Sequence, residues 1–231
     1  TDCACNSRRY HGLLVINLPG IGRHVLLSNV EDWLLAGGKK YALSSRRHPG
    51  VYYPDGPRFQ TAFAPFPCPS FTYEAGGFRV TRELMLLQGR NVLLIRYTLA
   101  RTAKKGPSSA SLQVAPLLAF RSFHSLTHKN DALCGSISPA CSGFSIHPYK
   151  ELPPLTFQSD GNFTFVSSPL WIERVEYTEE ERRGFDFNED LFLPGSFTLS
   201  LQNGESAILA VSPDGITPAD GEQVLLKGRT L

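Results

Sequence analysis

The chain has 231 residues, 42% of them hydrophobic, and a net charge of +2, which supplies a sizeable core for one large β domain or two small ones. Its basic residues fall in scattered pairs (Arg8-Arg9, Lys39-Lys40, Arg46-Arg47) rather than in a stripe, which argues against nucleic acid as a partner. No apolar run approaches the roughly 20 residues that cross a bilayer, no signal peptide is visible, and five irregularly spaced cysteines read as thiols in a reducing, cytoplasmic compartment.

Near the N-terminus, Cys5-Asn6-Ser7-Arg8-Arg9-Tyr10-His11-Gly12 turns directly into an apolar run. Two guanidiniums, a phenol and an imidazole in succession are costly to order and are worth that cost where they meet something polar, either a ligand or another domain. Apolar runs of β character follow at 12–17, 23–28, 32–35 and 41–44. Within them Val30-Glu31-Asp32-Trp33 places two carboxylates beside one of two tryptophans. The stretch from Ser45 to Gly56 is a Pro/Gly-bounded loop crowded with Arg, His and Tyr, including Arg47, Tyr52 and Tyr53.

Further runs lie at 71–74, 78–87, 92–100 and 112–120; the second and third, joined through Gly89-Arg90-Asn91, make a long hairpin. The basic, Gly/Ser-rich stretch 102–109 reads as an exposed hairpin loop. Residues 116–128 end a core strand and deliver Arg121, His124 and His128. The last runs are 144–147, 163–167, 171–177, 197–201 and 207–212, and Asn203-Gly204 predicts a hairpin between the final two. Residues 178–183, acidic first and basic last, suit a short helix, and 122–130 is ambiguous between helix and coil. More than ten strands with turn signals at short intervals predict an all-β fold, a large antiparallel sandwich or barrel with at most one or two short helices. Neither a GxGxxG nor a P-loop string occurs, and no cofactor is implied.

Aromatic rings beside Arg, His and carboxylates are what a sugar site requires, since rings stack on the apolar pyranose face and charged groups grip hydroxyls. Each cluster also has a structural reading. Arg8 and Arg9 suit ion pairs or interdomain contact as well as a ligand, and Tyr52 and Trp33 suit packing. His124 and His128 are four apart, but the glutamate of a helical zinc motif is missing, so no metal is expected. No carboxylate pair and no serine in a nucleophile-elbow context stands out, so no catalytic residue is nominated.

The string Asn6-Ser7-Arg8-Arg9-Tyr10-His11-Gly12-Leu13-Leu14-Val15 resembles the N-terminal domain of bacterial and archaeal glycogen-debranching enzymes of the amylo-α-1,6-glucosidase type. So do residues 23–31, with Glu31, the 47–50 loop, and the stretch 120–130. The resemblance runs from about residue 6 to about residue 212 and is densest in the first 130. It implies a β-supersandwich over 1–212 and a linker over 213–231 leading toward an (α/α)6 catalytic domain, in which the catalytic carboxylates reside.

It also implies a Gly-rich segment and a first strand ahead of the motif, so the chain is expected to be a trimmed piece of a longer protein. The function implied is that of a non-catalytic domain packing on the barrel and helping to shape the cleft for α-glucan, glycogen or a branched dextrin. Arg8, Arg9, Tyr10, His11, Glu31, Arg47, Tyr52, Arg121, His124 and His128 are its candidates for substrate or interdomain contact. A free-standing carbohydrate-binding module and a purely structural scaffold are the alternatives. The face left bare without the barrel is expected to support a homodimer.

Overall fold

A computed structural model describes residues 5–103 and 105–215. Two antiparallel sheets pack face to face. The first has the order β1-β2-β10-β15-β14, with β3 paired to the far end of β2. Its long members are β2 (Gly22–Ala36), β10 (Ser109–Ser122), β14 (Phe163–Glu176) and β15 (Asn188–Gln202); β1 (Leu14–Leu18) and β3 (Lys39–Ala42) are short. The second sheet has the order β11-β12-β13-β16-β9-β8-β7-β6. It runs from β11 (Ile137–Ala140), β12 (Gly143–Ile146) and β13 (Leu155–Ser159) through β16 (Ser206–Ser212), β9 (Leu93–Arg101) and β8 (Phe78–Leu86) to β7 (Ser70–Ala75) and β6 (Gln60–Ala64). A separate hairpin joins β4 (Arg46–His48) to β5 (Val51–Tyr53). The fold is an all-β sandwich.

Period-two alternation decides which side chains fill the space between the sheets. Along β2, Val30, Leu34 and Ala36 face inward to meet Val80, Ile95, Tyr97 and Leu99 from the opposite sheet. One end of the sandwich is filled by phenylalanines: Phe144 lies 4.1 Å from Phe165 and 5.0 Å from Phe157 between ring centroids, linking β12 and β13 to β14. β10 departs from alternation: every residue from Val114 to Arg121 is buried. Its outer face carries a second apolar cluster, with Ala115 and Leu117 against Val25, Val175, Tyr177 and Leu191. A continuous apolar run is the signature of a strand covered on both faces.

The 78–87/92–100 hairpin forms as expected, with Phe78 opposite Arg101 and Leu86 opposite Leu93. The runs 23–28 and 32–35 fuse into β2, and 163–167 and 171–177 fuse into β14, where register shifts absorb Ser168 and Pro169. The strands on either side of Asn203-Gly204 do not form the expected hairpin: β15 belongs to the first sheet and β16 to the second. The turn passes the chain between layers, pinned to β9 by Gly204 N–H donating to the Leu99 carbonyl at 2.8 Å and Arg101 N–H to Asn203 Oδ1 at 2.7 Å. Likewise the described residues between β9 and β10, 102–103 and 105–108, are exposed, and the chain crosses there from the second sheet to the first. A short helix, α1 (Thr178–Arg182), forms where acids precede bases, whereas residues 123–130 are not helical. The strand ends at Ser212, and the expected linker lies from residue 216 onward outside the described residues. Among the described residues no helix is long and apolar enough to cross a membrane.

Candidate functional site

The N-terminal string lies across the outer face of the first sheet. Gly12 makes that possible: a Cβ there would stand 2.8 Å from Val25 Cγ1, so only glycine lets the string lie down on β2. Asn6 Nδ2 donates to the Ser28 carbonyl at 3.1 Å, and Ser7 accepts Glu179 N–H from α1 at 2.9 Å. The string is thereby clasped between β2 and α1.

Most of its polar groups are spent inside this domain. Arg9 donates to the carbonyls of His124 at 3.2 Å and Asp186 at 3.3 Å, and its Nε sits 3.6 Å from Glu180 Oε2. Arg121 is buried and pairs with buried Glu189 through two hydrogen bonds; its Nη2 also donates to the Arg9 carbonyl at 2.7 Å. Tyr177 donates to the same Glu189, whose Oε1 accepts Thr127 N–H at 3.1 Å. Phe120, at φ +46°, kinks β10 just before Arg121. Burial and the Glu189 carboxylate push the Tyr177 phenol up. Tyr10 packs against Phe123 at 4.8 Å and His124 at 5.7 Å between centroids. His11 accepts Ser7 N–H on Nδ1 at 3.3 Å, and burial, with Arg8 adding to it, lowers its pKa. Arg8 is half-buried; no hydrogen bond or ion pair of its guanidinium is found among the described residues.

Beside this clasp, Arg47 of the β4–β5 hairpin bonds Glu176 at 2.9 Å and Glu181 at 3.0 Å. Glu31 pairs with Arg46 and accepts Trp33 Nε1–H at 2.8 Å. Both His124 and His128 are exposed, His128 lying 3.8 Å from Asp190. Among the described residues no group of three or more His, Cys, Asp or Glu is placed to hold a metal ion. The structure therefore brings Arg9, Tyr10, Arg121 and His124 together, and puts Arg47 and Glu31 on the flank of the same face. Tyr52, 55% exposed, lies opposite Arg47 across the β4–β5 hairpin, within reach of its guanidinium, and also lines a second feature.

That feature is an open groove of about 650 Å3 between the N-terminal string, the β4–β5 hairpin, the loop after it and β6. Gly56 seats the loop: its N–H donates to the Ser44 carbonyl at 3.2 Å, and a Cβ there would stand 2.4 Å from Ser44 backbone atoms. Tyr52, Asp55, Gln60, Thr61 and Phe63 line the walls, and Ser45 lies in the floor.

Two groups of residues escape a reading of the sequence. The partners of the arginines, Glu180 and Glu189, sit in an acidic run and at a strand start, where nothing local marks them as buried. Asp32 is also missed as a core residue. It faces inward between the sheets, where it accepts Arg82 Nη1 at 2.6 Å and Tyr97 OH at 3.0 Å, while Arg82 Nη2 donates to Tyr73 OH at 3.2 Å. Burial works against the Arg82 charge, but Asp32 holds it above the ordinary arginine range. The signal was present, because Asp32 and Arg82 occupy inward positions of alternating strands. Glu31 and Trp33, its neighbours in sequence, point to the other face.

Residues 1–208 match a family model described as glycogen debranching enzyme N terminal. Among solved structures the chain is similar to a bacterial glucoamylase complexed with acarbose at 9% identity and TM-score 0.44, covering 90% of this chain and 31% of that one. It is also similar to a polysaccharide lyase at 15% identity and TM-score 0.35, covering 79% and 24%. The chain thus spans about a third or less of each of these structures. A comparison with curated proteins gave no match.

Proposed function

Because the chain belongs to the glycogen debranching enzyme N-terminal family, we propose that it is the non-catalytic sandwich domain of a glycogen-debranching glycoside hydrolase. In this reading it packs on an (α/α)6 catalytic domain and helps shape a cleft for branched α-glucan. The observation that carries the reading is the outer face of the first sheet. That face holds its own apolar cluster, and around it stand Arg8, exposed His124 and His128, and Phe185 at 49% exposure. The cluster is buried within this domain; the exposed rim over it, with Arg8 unpaired among the described residues, is what suits a face that meets another domain. The buried carboxylates of this region, Glu189, Glu180 and Glu176, each face an arginine, which suits holding an interface more than proton transfer.

Sedimentation of the chain mixed with an (α/α)6 catalytic domain of the family tests this. A one-to-one complex is expected, weakened when Arg8 is replaced by Glu; two non-interacting species would overturn the reading. The same face is the place where the chain alone would self-associate, so the catalytic domain should compete with any homodimer.

A further inference from the structure

The groove beside β6 borders the clasp, with Ser7 and Thr178 in its lining, but its other walls have a different chemistry. We propose that it is a binding site for a neutral glucan segment; the choice of an α-linked glucan rests on the function proposed above. Three observations point to a neutral polyhydroxylated ligand.

The first is charge. No Lys or Arg is among the lining residues, and Asp55, the one carboxylate there, is already paired with Arg58 at 3.5 Å, so the walls themselves offer little net charge to a phosphate or acidic ligand. The second is the supply of hydrogen bonds. Gln60 and Thr61 lie on β6, which among the described residues is bonded to β7 on one side only, so that backbone donors and acceptors on its other side have no strand partner there; the Thr61 hydroxyl donates to the Thr72 carbonyl at 3.4 Å. Ser45 in the floor is 2% exposed, and its buried hydroxyl has no hydrogen-bond partner among the described residues. A buried hydroxyl left in this way is uncommon and calls for a partner. The third is the ring of Tyr52, which offers a stacking platform at the rim. Gly56, packed backbone to backbone on Ser44, keeps the wall in place, and the volume of about 650 Å3 suits a small-ligand cleft.

The test is a titration of the whole chain with maltoheptaose, followed by calorimetry and by two-dimensional NMR. Saturable binding in the millimolar range is expected, with shifts at Tyr52, Thr61 and Phe63. Tyr52→Ala should weaken it about tenfold without moving the unfolding midpoint, and glucose 6-phosphate should bind no better than glucose. The proposal is overturned by an absence of saturable binding, by shifts confined to Arg8 and His124, or by binding that Tyr52→Ala leaves intact. Sedimentation of Tyr52→Ala with the catalytic domain separates this failure from the other. A complex that survives while glucan binding is absent removes the groove and leaves the accessory-domain reading standing.

Discussion

The clasp and the groove are built from the same kinds of residue and end in opposite states. In the clasp, Arg9, Arg121 and His11 are half-buried or buried, and their partners belong to the same domain: Glu180, Glu189 and the backbone of residues 124 and 186. In the groove, Tyr52 and Asp55 stand mostly in solvent, and Ser45 has no partner among the described residues. A cluster of polar and aromatic residues therefore does not identify a binding site by itself. What separates the two regions is how many of the hydrogen-bonding groups are held within the domain: most are in the clasp, where Arg9 Nε and Glu180 Oε1 are exceptions, and fewer are in the groove.

The sharpest way to break this contrast is Glu189→Leu. It leaves the buried Arg121 charge and the Tyr177 hydroxyl without their partner, and a loss of about 3–5 kcal/mol is expected, read from the urea midpoint. A loss below 1 kcal/mol would mean that the clasp does not hold the sheet face together.

Next in size is Gly12→Val. The added side chain meets Val25 and lifts the N-terminal string, costing about 1–3 kcal/mol. Limited proteolysis should then cut near Arg8 and Arg9, where the parent chain is protected. Arg9→Ala should cost about 1–2 kcal/mol through its lost bonds to two carbonyls. Its expected signature is faster amide exchange in residues 124–127, with none at β6.

Acid probes the clasp more gently. His11 has a lowered folded pKa, so the unfolded chain takes up its proton first as pH falls through 6.5. The contribution of neutral His11 is therefore complete above that pH and is lost below it, as Nδ1 gives up the Ser7 N–H. His48, lowered by burial and by Arg46, acts in the same direction. Thermal midpoints should fall between pH 7 and pH 5 by less in His11→Gln than in the parent chain. The smallest stability effect belongs to the groove: Tyr52→Ala should stay within about 0.5 kcal/mol, and a larger loss would make Tyr52 a packing residue.

The sequence by itself determined the elements whose signals are local. Alternation marked β8 and β9 and their turn, acids before bases marked α1, and the apolar run at 112–120 marked β10 as a core strand. It also carried the inward placement of Asp32 and Arg82, legible from period two. Tertiary structure decided the pairings. Asn203-Gly204 specifies a reversal, but β15 and β16 each bury an apolar face, and they bury it from opposite sheets, so the turn became a passage between layers. Arg9 bonds a carbonyl 177 residues away, and Arg121 a carboxylate 68 residues away. Such partners leave no trace in local spacing, because a buried charge is satisfied by whatever the packed fold brings within reach.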